Sequence, residues 1–170
     1  RNKLIIICLL SFFLFNLNLR AEEFDISAKE ILIDKENEIL VGKGQVQAVD
    51  SGGKVISANK ITYEKSREFL LAEGKVKISD TDGNILEADK ATYDKKNEII
   101  ITQGDTKLTL KEGYKLITRS VTYDAKKKIL SSNENSILSD RDENIIKTSM
   151  FQYDIENNLF SSIGKIKIID

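Results

Sequence analysis

A thirty-residue spacing of tyrosines is the feature that most restricts what this chain can fold into. The series comprises Tyr63, Tyr93, Tyr123 and Tyr153, with Ile33 in the same place one period earlier. An acid follows each member, at Asp34, Glu64, Asp94, Asp124 and Asp154. Glycines keep the same phase in two further series, Gly44, Gly74, Gly104 and Gly164, and Gly53, Gly83 and Gly113. Such a period indicates a supersecondary unit that stacks on its own copies, here about five of them.

Alternation of apolar and polar residues within each copy predicts β-strands. In the clearest strand Leu70, Ala72, Gly74, Val76 and Ile78 share one face, and Glu73, Lys75, Lys77 and Ser79 share the other. In the preceding strand the interval between inward residues changes from two to three at Asn59 and Lys60. The same change separates Ala28 from Ile31, Ala88 from Ala91, and Thr118 from Val121. Because the interval changes from two to three at the same place in each of these strands, a β-bulge or corner is predicted there.

Polar segments between the strands predict turns near residues 34–38, 64–68, 94–98 and 124–128. In these segments Asp is expected to cap the bend, and Asn or Gly is expected to accept the positive φ angle. The fold class is therefore all-β, with about ten antiparallel strands in 30-residue repeats and almost no helix.

Small residues recur at two inward levels of the repeat. One level holds Gly42, Ala72, Thr102, Ser132 and Ser162, and the other holds Ala28, Ala58, Ala88, Thr118 and Thr148. Stacked small residues either leave a channel or relieve crowding at the bend, and the pattern alone leaves both readings open. The inward positions carry no charge, so a guest in such a channel would be apolar.

Composition excludes several classes of function. The chain has 26 Lys and Arg against 27 Asp and Glu, which leaves no basic field to attract a nucleic acid. It has no His, and its single cysteine is Cys8. A Ser-His-Asp or Cys-His centre and a structural zinc site therefore lack their residues. We predict no catalytic residue, no metal and no cofactor.

The N-terminus has the layout of a secretory signal peptide. Basic Arg1 and Lys3 precede an apolar run from Leu4 to Phe15, and a polar segment ends at Ala21. We expect a signal peptide at 1–21 and one domain at 22–170, although Leu19 is large for a cleavage site and leaves an uncleaved anchor open. Cys8 lies too early in the apolar run for a lipoprotein.

The recurring pattern A-x-x-(I/A/V)-T-Y-(D/E)-x5-(I/F/L)-(L/I)-x3-G-x-V-x-I-x3-D-G-x-x-L-x-A resembles the OstA-like, or organic-solvent-tolerance, domain. The clearest copies are 58–88 and 88–118, and the resemblance runs from about Phe24 to Asp170. This family includes the periplasmic bridge protein of lipopolysaccharide transport and the N-terminal domain of the outer-membrane lipopolysaccharide-assembly protein. The missing initiator Met favours a fragment of the second kind over the bridge protein.

The resemblance implies an open, V-shaped β-jellyroll that holds lipopolysaccharide acyl chains and joins other OstA-like domains edge to edge. It places the chain in the periplasm, or at the periplasmic face of the outer membrane, after export. The inward residues of the best copies are then the candidate groove: Ile56, Ala58, Ile61, Tyr63, Leu70, Ala72, Val76, Ile78, Leu86, Ala88, Ala91, Tyr93, Ile100 and Leu108. Ile166 and Ile168 in the last strand are the candidate assembly edge, since an unpaired edge invites β-augmentation.

The fourth copy departs from the pattern, with Glu134 and Glu143 for glycines and Ser136 for valine, which puts the continuity of the groove near 130–145 in question. Two rival functions remain. A structural or adhesive β-solenoid would have a dry core and no ligand. A carbohydrate-active enzyme on a β-helix would need clustered carboxylates, and the aligned acids after the tyrosine position stand where Asp is a common turn residue.

Overall fold

A computed structural model describes residues 24–169, so the predicted signal peptide and Cys8 lie outside the described residues. The sixteen strands are β1 (Phe24–Ser27), β2 (Glu30–Asp34), β3 (Ile39–Asp50), β4 (Val55–Glu64), β5 (Phe69–Ser79), β6 (Ile85–Asp94), β7 (Ile99–Gln103), β8 (Thr106–Thr109), β9 (Lys115–Thr118), β10 (Thr122–Asp124), β11 (Ile129–Ser132), β12 (Ser136–Ser139), β13 (Ile145–Thr148), β14 (Phe151–Asp154), β15 (Leu159–Ser162) and β16 (Ile166–Ile169). All pair antiparallel.

The sixteen segments are ten long bent strands, which confirms the predicted fold class. Strands β3, β4, β5 and β6 are continuous, and each of the other six is divided in two at the bend. The helical content of residues 24–169 is a 3-10 turn at Lys65–Arg67, and no helix in that range is long and apolar enough to cross a membrane. The four predicted turns lie where the sequence placed them, and a fifth follows at 155–158.

The bend turns the repeat into two opposed sheets. The tyrosine sheet contains β2, the halves of β3 to β6 that pair around Tyr63 and Tyr93, and then β7, β10, β11, β14 and β15. The opposite sheet contains β1, the other halves of β3 to β6, and then β8, β9, β12, β13 and β16. Apolar residues of both sheets meet in one interior cluster. The architecture is a bent, nearly closed β-jellyroll in which the strands β3 to β6 join the two sheets.

Bulges form the bend at the predicted level. The register shifts between Lys43 and Val46, between Ser57 and Lys60, and between Glu73 and Val76. Gly74 lies within the third shift with a φ of 77°, a backbone conformation that residues with a Cβ rarely adopt. The glycine series therefore marks the corner of the strand, and the second series, at Gly53, Gly83 and Gly113, marks the turns.

The small inward residues fill this corner and bond to one another. A Cβ built on Gly42 would lie 2.8 Å from Cγ1 of Val46, so the first copy has no room for a larger residue. In the third copy the Thr106 hydroxyl donates to Oγ1 of Thr102 at 3.0 Å, and both side chains are buried. The small residues relieve crowding at the bend, which answers the question that the sequence left open.

Threonine and serine hydroxyls continue this contact through the later copies as a corner ladder. The Thr118 hydroxyl lies 3.1 Å from the hydroxyl of Ser132 and 3.0 Å from that of Ser136. In the last copy Thr148 and Ser162 are hydrogen-bonded. No buried side-chain polar atom lacks a partner among the described residues. The ladder thus stabilises the corner where the strands β7 onward are divided.

Aspartate caps the turns as predicted, and Gly53, Gly83 and Gly113 take positive φ angles as predicted, but in the turns that follow the tyrosine position the capping asparagine does not. Oδ1 of Asp34 accepts hydrogen bonds from the backbone amides of Glu36 and Asn37, each at 3.0 Å. The positive φ falls on Glu38, at 54°, and not on Asn37. The same position has positive φ at Glu68, Glu98, Lys128 and Asn158. The asparagine side chain instead donates to the aspartate, so it is fixed in the capping role.

Thr118→Val tests the corner ladder. The substitution keeps the shape of the buried side chain and removes the hydroxyl shared by Ser132 and Ser136, so the free energy of unfolding should fall by about 1–2 kcal/mol. Urea denaturation measures the change, and Thr122→Val at a half-buried position of β10 is the matched control. Equal stability of the two variants would contradict a structural role for the ladder.

Candidate functional site

The fourteen residues predicted to line a groove all face the interior, and all are buried. In the copies that contain β3 to β6 they pack against one another. Ile56, Ile61 and Ala72 have no exposed surface, and neither do Val46 and Ala48 beside them. Of the predicted set, Leu108 lines the open cavity described next. Lys75 and Lys77 are exposed on the outer face, as their alternation predicts.

An apolar cavity of about 260 Å³ opens between the sheets in the later copies. The opposite sheet and its turns contribute Leu108, Leu110, Tyr114, Lys115, Leu116, Leu138, Ser139, Asp140, Asn144 and Ile146, and the tyrosine sheet and its turns contribute Leu130, Phe151, Tyr153, Asn158 and Phe160. Phe151 and Phe160 stack with their ring centroids 5.7 Å apart. The cavity is therefore walled by aliphatic and aromatic side chains from both sheets.

Most of this wall could have been found from the repeat. Leu130 and Phe160 occupy the slot of Leu70, and Phe151 occupies the slot of Ile61, each displaced by a multiple of thirty residues. The predicted set stopped at Leu108, although the same inward slots continue beyond it. Sequence reasoning had no comparable signal for Tyr114, which belongs to a turn.

The mouth of the cavity is polar. The Tyr153 hydroxyl donates to Oδ1 of Asn158 at 2.7 Å, and burial raises the pKa of this tyrosine. On the facing turn the Asn144 amide donates to Asp140 and holds the pKa of that carboxyl below its ordinary value. Lys115 also reaches the cavity. A guest would thus meet an apolar floor and a rim of charged and hydrogen-bonding groups, which suits an amphiphile.

The departures of the fourth copy do not interrupt the interior. Ser136, in place of valine, is buried and donates to the Glu134 carbonyl at 2.8 Å, and its hydroxyl oxygen lies 3.0 Å from that of Thr118. Glu143, in place of glycine, has a φ of 66°, so it keeps the backbone conformation of the turn. The cavity lies in this part of the chain, where the sequence had put continuity in question.

The aligned acids serve their own turns. Asn97 donates to Asp94 from its backbone and side-chain amides, and its side-chain amide lowers the pKa of that carboxyl. Glu64 pairs with Arg67 at 2.8 Å. Among residues 24–169 no group of three or more acidic or thiol side chains is placed to hold a metal ion.

The two ends of the sheets are unpaired edges among the described residues. Strands β1 and β2 pair with β3 alone, and β15 and β16 pair with β14 and β13 respectively. Every residue of β2 and of β16 is exposed, with Ile33 and Ile168 each 64% exposed. Both edges therefore present unpaired backbone groups next to exposed aliphatic side chains.

Comparison with solved structures places this fold beside a lipopolysaccharide-transport protein. The chain is similar to LptH of Pseudomonas aeruginosa, described as the LptA-homologous periplasmic component of the conserved lipopolysaccharide transport device. The TM-score is 0.59 at 12% identity, over 86% of this chain and 94% of LptH. No family model and no curated protein matches the sequence. The likeness shows an LptA-like β-jellyroll fold.

Tryptophan at equivalent slots tests whether the later copies enclose real space. Leu130→Trp directs added volume into the cavity, so its free energy of unfolding should fall by less than about 1 kcal/mol. Leu70→Trp, two copies earlier, enters the packed interior and should cost about 3 kcal/mol or more. Urea denaturation compares the two, and equal losses would show that the later copies are packed as tightly as the earlier ones.

Proposed function

We propose that this chain binds the acyl chains of lipopolysaccharide between its two sheets and passes the lipid across the periplasm toward the outer membrane. The apolar cavity between Leu116 and Leu138 of one sheet and Leu130, Phe151 and Phe160 of the other carries the proposal. Its polar mouth leaves the headgroup in water while the acyl chain is covered. The chain would act as a carrier, without a catalytic step.

The energetics of lipid transfer favour such a groove. Each exposed methylene group costs about 0.8 kcal/mol, so a lipid with several acyl chains does not cross water at a useful rate unaided. The apolar walls of the cavity of about 260 Å³ would cover methylene groups of an acyl chain in this way.

The similarity to LptH supports this substrate class, since LptH is a periplasmic component of a lipopolysaccharide transport device. Under the proposal, residues 1–21 direct export and are removed, and residues 22–170 form an OstA-like domain. The chain is then a bridge protein or the periplasmic domain of the outer-membrane assembly protein, and it works in the periplasm or at the periplasmic face of the outer membrane.

The unpaired edges supply the contacts to neighbouring carriers. The exposed residues of β16, including Ile166 and Ile168, form one edge, and β2 forms the other. Pairing of such edges between copies, or with another OstA-like domain, would continue both sheets and align the interiors. The lipid would then pass from one interior to the next without entering water.

A structural β-solenoid is the second candidate, because the earlier copies are packed. Ile56, Ile61 and Ala72 have no exposed surface, as a dry core requires. On this reading the later cavity is a packing defect that holds no guest.

A photo-crosslinking amino acid at Leu130 or Phe160 distinguishes the two functions. Both residues border the cavity, so we expect either position to label lipopolysaccharide on irradiation. Lys75 and Lys77, on the outer face, are the matched control positions and should remain unlabelled. Equal labelling from both faces, or labelling from neither, would contradict a lipid-carrying interior and favour the structural role.

Ile168→Lys tests the assembly edge. A charge on β16 opposes strand pairing, so the dissociation constant of self-association should rise by about ten-fold or more, as measured by sedimentation equilibrium. Ile117→Lys is the matched control, because Ile117 is 54% exposed in β9, between two paired strands. A wild-type chain that stays monomeric at every concentration would contradict edge assembly, as would an equal effect of the two substitutions.

A further inference from the structure

We infer that the N-terminal end of the interior is a second acyl-chain site, which Phe24 of this chain occupies until β1 moves aside. This inference rests on the proposed function and extends it to a second position along the groove. The ligand class is the same, a lipid acyl chain. The structure thus contains one site that is open and one that is held closed.

Phe24 bridges the two sheets at the N-terminal end of the interior. It begins β1 of the opposite sheet, where it pairs with Asp50, and it is 8% exposed. Its ring lies edge-on to two aromatic rings of the tyrosine sheet, at centroid distances of 5.0 Å to Tyr63 and 6.1 Å to Tyr93. The Lys95 ammonium lies 5.1 Å from the centre of the Phe24 ring. An apolar side chain of the protein therefore fills the place that an acyl chain would take at this end.

A lysine contact closes the mouth beside Phe24. Nζ of Lys54 lies 4.4 Å from the centre of the Tyr93 ring and donates to the Tyr93 hydroxyl at 3.3 Å. Two repeats further along, Tyr114 and Tyr153 hold the equivalent slots, and both line the open cavity. Lys54 and Tyr93 are thus in contact at the closed end of the interior, whereas the equivalent Tyr114 and Tyr153 border the open cavity.

The closed site is apolar behind Phe24 and continues the cavity wall. Val46, Ala48 and Ile56 are fully buried there, and Ile26 packs against them. Ile56 holds the same position in its repeat as Leu116 does sixty residues later, and Leu116 lines the open cavity. An acyl chain that replaced the Phe24 ring would therefore meet the same kind of apolar surface.

Strand β1 is the element that can detach from its sheet most easily. It has four residues, pairs with β3 alone and lies at the edge of the opposite sheet. Short edge strands open at a small fraction of the global unfolding cost, whereas β3 pairs on both sides. Release of β1 would remove Phe24 from the mouth and leave the rest of the jellyroll paired.

Spin-labelled stearate and methyl NMR test the inference on the whole chain. In the wild type we expect the label to broaden the Leu130 and Leu138 methyl signals and to leave Ile26 and Ile56 sharp. In Phe24→Ala the Ile26 and Ile56 signals should broaden too, with affinity at that end raised by about ten-fold. Phe160→Ala, which removes a phenylalanine from the open cavity, is the matched control and should leave Ile56 sharp.

A disulfide lock supplies the converse measurement. Ser27→Cys with Gln47→Cys, in a Cys8→Ser background, joins exposed facing residues of β1 and β3. Formation of the disulfide should hold Phe24 in place, and its reduction should restore the access of the acyl chain to this site that opening of β1 allows. Broadening of Leu130 with Ile56 sharp in Phe24→Ala would overturn this inference alone, as would equal broadening of Ile56 in the oxidised lock and in Phe24→Ala. No broadening at any of these methyls would overturn the proposed function as well.

Discussion

The bend that every strand makes at one level is the constraint on which the rest of this structure depends. Bulges at Gly44 and Gly74 shift the register by one residue, and positive φ angles there turn the strand from one sheet into the other. Without the bend, the repeats would stack as one flat sheet with an exposed apolar face. With the bend, two apolar faces oppose each other along the whole stack and enclose one continuous interior between the two sheets.

Both the filling of the corner and the packing of the interior change along the stack. In the first copies Gly42 and its small neighbours let continuous strands β3 to β6 pass through the corner, and the sheets meet in a packed interior. From β7 onward the strands are divided, and bonded hydroxyls of Thr118, Ser132 and Ser136 hold the corner instead. The apolar walls there remain apart and enclose the cavity. Copies of the same repeat thus form a packed interior at one end of the stack and an open cavity at the other.

The repeat phase predicted the strands, their faces, the bend and the turns, because each is a local property present in several copies. It gave the correct inward face for Leu70 and the correct outer face for Lys75. It could not predict the position of Phe24 between the two sheets, since this residue precedes the first full copy. It also could not separate packed from open copies, because Leu70 and Leu130 share a slot of the repeat, yet only Leu130 lines the cavity. The positive φ angle at Glu38 was missed because the neighbouring Asn37 is intrinsically more tolerant of that conformation, yet its side chain is used to cap Asp34.

Native mass spectrometry of the chain titrated with lipopolysaccharide tests the central claim most directly, that the space between the two sheets carries the lipid. The account predicts a complex of one chain with one lipid, whose abundance falls by about ten-fold when Leu130→Trp fills the cavity. The matched Ile117→Trp variant, altered on the outer face, should bind as the wild type does. Equal binding by Leu130→Trp and Ile117→Trp would place the lipid outside the interior and contradict the account.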